Sequence, residues 1–95
     1  MLRYCSFSLR GNITLGIVYS DRGQLDAALI HLQTASSLNP RNAGVQYYLG
    51  NVFLKKGLID PAIEHFKAAA ALNPSQKVFL DALAEAYEQK RSAPH

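Results

Sequence analysis

His31 and His65 stand 34 residues apart in a chain of 95, and histidines at a fixed interval are the first side chains here that could do chemistry. Zinc would be one use for them, but it takes about four ligands in a tetrahedral set. No acid or thiol accompanies both histidines at matching spacing, so no metal is expected and the pair is read as stacking along one outer face. Cys5 with a histidine could suggest a nucleophile, yet no orienting third group or oxyanion loop accompanies it. Gly11, Gly16 and Gly23 fall inside or at the end of helical patterns and form no phosphate-cradling loop. Neither catalysis nor a cofactor is expected. Asp81, Glu85 and Glu88, at offsets of four and three, put three carboxylates on one helix face. They could attract a basic peptide. The preferred reading is that they solubilise the open end of a stack, which repeat proteins require of their terminal helices.

The interval between the histidines recurs throughout the chain. Leu15-Gly16 aligns with Leu49-Gly50, Tyr19 with Phe53, Gly23 with Gly57, Asp26 with Asp60, Ala28 with Ala62 and Ala35 with Ala69. Leu38-Asn39-Pro40 aligns with Leu72-Asn73-Pro74, and a third copy opens with Leu83-Ala84 and Tyr87. Such self-similarity marks a repeat architecture. Within each copy the apolar residues (Leu15, Tyr19, then Leu25, Ala28, Leu32, Ala35) fall at intervals of three and four, the stripe of two successive helices. Gly23 and Gly57 interrupt the pattern where a left-handed residue can end a helix. Asp60-Pro61 suits a helix opening, and Lys55 and Lys56 favour the negative end of the helix before it. Asn-Pro at 39–40 and 73–74 closes the second helix, and Ser75 could cap the final one. The expected helices run over 9–22, 25–38, 42–56, 59–72 and 75–91. The units are an extension 1–8, repeats 9–42 and 43–76, a third first-helix at 77–91, and a tail 92–95.

Composition bounds what such a stack can be. With 48% hydrophobic and 18% charged residues the chain is too apolar for disorder, and its longest uncharged runs are too short for a membrane span. Ten Lys and Arg give a net charge of +3, but they are scattered rather than gathered in a stripe with interleaved aromatics, so no nucleic acid is expected. A single cysteine makes no internal disulfide, and an intracellular, cytoplasmic location is the default. Arg3, Arg10 and several serines before the first acid, Asp21, resemble a mitochondrial transit segment and make that location the alternative. Asn12-Ile13-Thr14 matches a glycosylation sequon but lies within an expected helix.

These residues resemble the tetratricopeptide repeat family, whose pattern of 34 residues runs through Leu-Gly, an aromatic, Ala, a second aromatic, Ala and Pro. Repeat one supplies Leu15, Gly16, Tyr19, Ala28, Leu32, Ala35 and Pro40; repeat two supplies Leu49, Gly50, Phe53, Ala62, Phe66, Ala69 and Pro74. The family's early large hydrophobic position is Asn12 and Gln46 here, and Leu32 replaces an aromatic, departures expected to weaken local packing. The resemblance implies an all-α fold, helix-turn-helix repeats stacked as a short right-handed superhelix. Its first helices would line a concave groove that holds a peptide or helix of a partner protein.

Carried over position by position, the resemblance places Arg10, Ile13, Ile17, Ser20 and Asp21 in the groove from repeat one. Repeat two would add Gly44, Tyr47, Asn51, Leu54 and Lys55, and the last helix Val78, Asp81, Glu85, Glu88 and Gln89. Asn51 is a candidate contact to a peptide backbone, because an amide both donates and accepts. Tyr47 is a candidate anchor or, equally, a residue packed between helices. Ile13 and Ile17 make an apolar strip that an inserted side chain, or residues 1–8, could cover. A carboxylate clamp of the kind some family members use is disfavoured, since Ile13, Ile17, Val78 and Ala82 stand where it needs cations and an amide. The expected function is therefore a non-enzymatic adaptor for a protein partner. The alternative is a module that self-assembles into a homo-oligomer through its open ends.

Overall fold

The computed structural model describes residues 9–92. Five helices follow one another: α1 (Leu9–Asp21), α2 (Leu25–Leu38), α3 (Ala43–Lys55), α4 (Ile59–Leu72) and α5 (Lys77–Ser92). Helices α1 and α2 form one helix-turn-helix unit and α3 and α4 a second, with α5 laid on α4 as α3 lies on α2. The result is an all-α solenoid of stacked repeats.

The turns follow from the residues expected to make them. Gly23 and Gly57 have φ of +80° and +83°, where a side chain would be strained, and the next amides, Gln24 and Leu58, close back on the Tyr19 and Phe53 carbonyls at 2.9 Å. Asn39 and Asn73 end α2 and α4 in extended conformation ahead of their prolines. Asn42 caps α3, its side-chain oxygen accepting from the Val45 amide at 3.1 Å. Two expectations need correction. Lys56 is the cap of α3, and α5 starts at Lys77 instead of 75, because the Ser75 hydroxyl donates to the Asn73 side chain at 3.0 Å and caps nothing.

Two apolar clusters hold the stack. Ala28, Leu32, Ala35, Val45, Leu49 and Val52 join α2 to α3, so the larger one spans the junction between repeats. Ala62, Ile63, Phe66 and Ala86 join α4 to α5. This is why one repeat cannot stand alone: its second helix buries its apolar face only when the next first-helix arrives. Gly16 and Gly50 let the paired helices close. A Cβ at Gly16 would lie 2.4 Å from Leu32 Cγ, and one at Gly50 would lie 2.6 Å from Phe66 Cε1.

Polar links repeat with the same period. Lys56 reaches Asp26 at 2.6 Å and Lys90 reaches Asp60 at 2.8 Å, each pair tying a first helix to the second helix before it. The hydrogen bond and charge of Lys56 hold the Asp26 carboxyl below its usual range, and those of Asp60 raise the Lys90 ammonium above its own.

The histidines do not line an open outer face as the spacing suggested. His31 lies flat against Tyr19 and its Nδ1 is 3.1 Å from Asn12 Oδ1; His65 lies flat against Phe53 with its Nδ1 2.8 Å from Gln46 Oε1. An amide oxygen only accepts, so each Nδ1 carries the hydrogen. Asn12 and Gln46 are 3% and 8% exposed, so the two apparent departures from the repeat pattern are buried partners of the histidines. Gln46 also donates to the Ser36 hydroxyl at 3.2 Å, linking α2, α3 and α4 in one chain of hydrogen bonds.

Candidate binding groove

Between the two repeats α1, α2 and α3 enclose a cleft of about 110 Å³. Gly16 and Leu32 form its floor, Ile17 and Tyr48 are apolar walls, and Ser20, Asp21, Asn51 and Lys55 bring polar groups to it. The spacing of Ile17, Ser20 and Asp21 on α1 and of Tyr48, Asn51 and Lys55 on α3 puts each trio on one helix face.

Lys55 is fixed in this cleft. Its Nζ donates to the Ser20 carbonyl at 3.3 Å and to the Ser20 hydroxyl at 3.0 Å. Helix α1 has no basic residue in its own last turn, so Lys55 of α3 supplies the cation that its negative end favours. The Asn51 side chain makes no hydrogen bond among the described residues and is half-buried at the cleft wall. It can therefore donate to and accept from a bound main chain.

The expected groove residues separate into two groups. The cleft gathers Ile17, Asn51 and Lys55 with Ser20 and Asp21. Ile13 is half-buried against the first apolar cluster, and Leu54 packs on the second. Tyr47 is committed to packing: its ring centre lies 5.4 Å from Phe79, 6.0 Å from Phe66 and 5.4 Å from Tyr48, so it joins α3, α4 and α5. Arg10 is exposed and does not line the cleft. Asp81 and Glu88 pair along α5 with Lys77 at 3.6 Å and Arg91 at 2.7 Å, and Glu85 lies exposed between them. Tyr48 is the residue the sequence did not single out, since its counterparts one period away, Thr14 and Ala82, are small. Cys5, residues 1–8 and His95 lie outside the described residues.

No helix among the described residues is long and apolar enough to cross a membrane. A comparison with curated proteins gives no match. Solved structures of MamA share the fold. One reported as "Crystal structure of MamA" is 29% identical with a TM-score of 0.85 over 90% of this chain and 50% of that one. Another, "MamA MSR-1 C2", is 32% identical with a TM-score of 0.79 over 90% and 49%. A mutant of MamA is 32% identical with a TM-score of 0.77 over 86% and 60%, so this chain spans half to three-fifths of the length of these relatives. Profiles described as "TPR repeat" and "Tetratricopeptide repeat" match residues 16–57 and 43–76. With its helix pairs, its left-handed glycine turns and its 34-residue period in register with those matches, the chain belongs to the tetratricopeptide repeat family and is a protein-interaction module.

Proposed function

We propose that this module holds an extended peptide or a helix of a partner protein along α1 and α3, with one partner side chain seated between Ile17 and Tyr48. The cleft of about 110 Å³ with a free amide at Asn51 carries this reading. Small-molecule pockets run to roughly 300–1,000 Å³, so a cleft of this size suits a single apolar side chain of a longer ligand. Asn51 would bond the ligand backbone beside that side chain, fixing its register without demanding a particular residue. Lys55, held by Ser20, shapes the end of the cleft. The groove role of Arg10 and of the α5 carboxylates is to bias the charge of segments that lie beyond the cleft.

The test is affinity capture from the source cell's extract, followed by calorimetric titration of the captured protein. Ile17→Glu and Asn51→Ala alter the cleft at partly exposed positions and leave the apolar clusters intact. Each should weaken binding by about tenfold or more while helicity is unchanged. A partner bound equally well by both variants would remove the cleft from consideration.

A further inference from the structure

Helix α5 sits in the register of a first helix. Buried Phe79 and Ala86 occupy the places of Val45 and Val52, one period on, and Lys90 reaches Asp60 as Lys56 reaches Asp26. In α1 and α3 another stripe (Asn12, Gly16, Tyr19 and Gln46, Gly50, Phe53) lies beneath the second helix of the repeat. In α5 that stripe is Leu80, Ala84 and Tyr87, and no second helix covers it among the described residues. Leu80 is 48% and Tyr87 47% exposed, where Asn12 and Gln46 are 3% and 8%.

The chemistry of the stripe narrows what can cover it. Since a Cβ at Gly16 or Gly50 would collide with Leu32 or Phe66, the Cβ that Ala84 does carry keeps out a leucine or phenylalanine at that depth. Leu80 offers no oxygen to a histidine placed like His31 or His65. A helix resembling α2 or α4 is therefore a poor occupant. The stripe asks for a small residue opposite Ala84 and apolar groups opposite Leu80 and Tyr87.

Helix α5 itself meets that requirement. Leu80 and Tyr87, and likewise Leu83 and Ala84, are placed symmetrically about the 83–84 peptide bond. Laid antiparallel on its copy, the helix sets Leu80 against Tyr87 and Leu83 against Ala84, the self-complementarity that a twofold interface needs. The flanks agree in charge: Lys77 and Asp81 of one copy come beside Glu88 and Arg91 of the other, two bases with two acids at each end.

We propose that the uncovered stripe of α5 is the interface of a twofold homodimer in which the two α5 helices pack antiparallel about Leu83 and Ala84. The surface shares no residue with the cleft and stands apart from the groove reading.

Sedimentation equilibrium of the 95-residue chain from about 10 µM to about 1 mM should show the mass rising from one chain to two, the range in which a modest interface associates. Leu80→Glu, at an exposed position, should raise the dissociation constant about tenfold or more with helicity unchanged. In a Cys5→Ser chain, Ala84→Cys should oxidise to a covalent dimer, because residues beside the axis come within disulfide reach. Thr14→Cys on exposed α1 should not. A monomer mass at every concentration overturns the proposal and leaves the stripe to a helix of another protein. A dimer indifferent to Leu80→Glu, or one cross-linked only through Thr14→Cys, overturns it in favour of another face.

Discussion

The Nδ1 of His65 lies 2.8 Å from the Oε1 of Gln46, across the two helices of the second repeat. The bond does more than satisfy one ring, because Gln46 also donates to Ser36 of the preceding repeat. Gln46→Leu keeps most of the volume but leaves the His65 N–H and the Ser36 hydroxyl without this partner. It should cost about 1–3 kcal/mol in urea unfolding at pH 8, the penalty for orphaned buried polar groups. Pairing it with His65→Phe should return part of that loss, since both polar partners are then gone. A Gln46→Leu chain as stable as the parent would show that the network contributes nothing net.

Burial holds the His65 imidazole below its ordinary value of 6.5, and the nearby Glu64 charge opposes this only in part. The folded chain thus favours neutral His65, and between the lowered and the ordinary value the unfolded chain binds a proton that the folded one does not. Stability from this group is full above about pH 6.5 and declines as pH falls through that window. His65→Phe should flatten the decline, and Glu64→Gln should extend it to lower pH by removing the opposing charge. Thermal midpoints between about pH 5 and 8 provide the measurement. An unchanged slope in His65→Phe would assign the acid sensitivity elsewhere.

The repeat period made the helices legible because it is written in the backbone-determining residues: glycines at the left-handed turns, Asn-Pro at the ends, apolar residues at intervals of three and four. It also located Ile17, Asn51 and Lys55 on facing helices. What escaped was pairing between helices. Asn12 and His31 are 19 residues apart, as are Gln46 and His65, and at neither site does local patterning say that an amide in an apolar position has a partner. The signal was present as recurrence, since both amides and both histidines return after 34 residues. Tyr47 and Tyr48 show the other limit. Adjacent tyrosines on a helix point about 100° apart, and only the packed structure shows that Tyr47 turns to Phe66 and Phe79 while Tyr48 turns to the cleft.

Gly50→Ala sets two effects against each other. Alanine favours a helix interior by up to about 1 kcal/mol over glycine. The added Cβ would stand 2.6 Å from the ring of Phe66, which is fully buried and has no room to withdraw. Overpacking costs about 1–3 kcal/mol, so the net should be destabilising. Phe66→Leu in the same chain should relieve much of the clash, giving a double variant more stable than the two single losses added. For Gly57→Ala the cause is different: its φ of +83° strains a side chain with nothing nearby to trim, and Phe66→Leu should leave that loss unchanged. Additivity in the first pair would place the cost of Gly50→Ala outside the contact with Phe66.

The periodic ion pairs Asp26–Lys56 and Asp60–Lys90 tie successive repeats together at the surface, and their exposure sets what they can do. Exposed pairs are weak and screened, so Lys56→Met and Lys90→Met should each lower the unfolding midpoint only slightly in dilute buffer. At about 1 M salt the difference from the parent should vanish, because screening then acts over about 3 Å. Their pH windows lie at opposite ends. Lys56 lowers the Asp26 carboxyl from 3.8, so that pair contributes above this value and is lost as pH falls through the lowered one. Asp60 raises the Lys90 ammonium from 10.5, so that pair contributes below this value and is lost as pH rises through the raised one. The double reversal Asp26→Lys with Lys56→Asp should restore the low-salt midpoint that either single reversal lowers. If the single reversals were harmless in dilute buffer, the pairs would be incidental to the stack, and its cohesion would rest on the apolar junction of α2 with α3 alone.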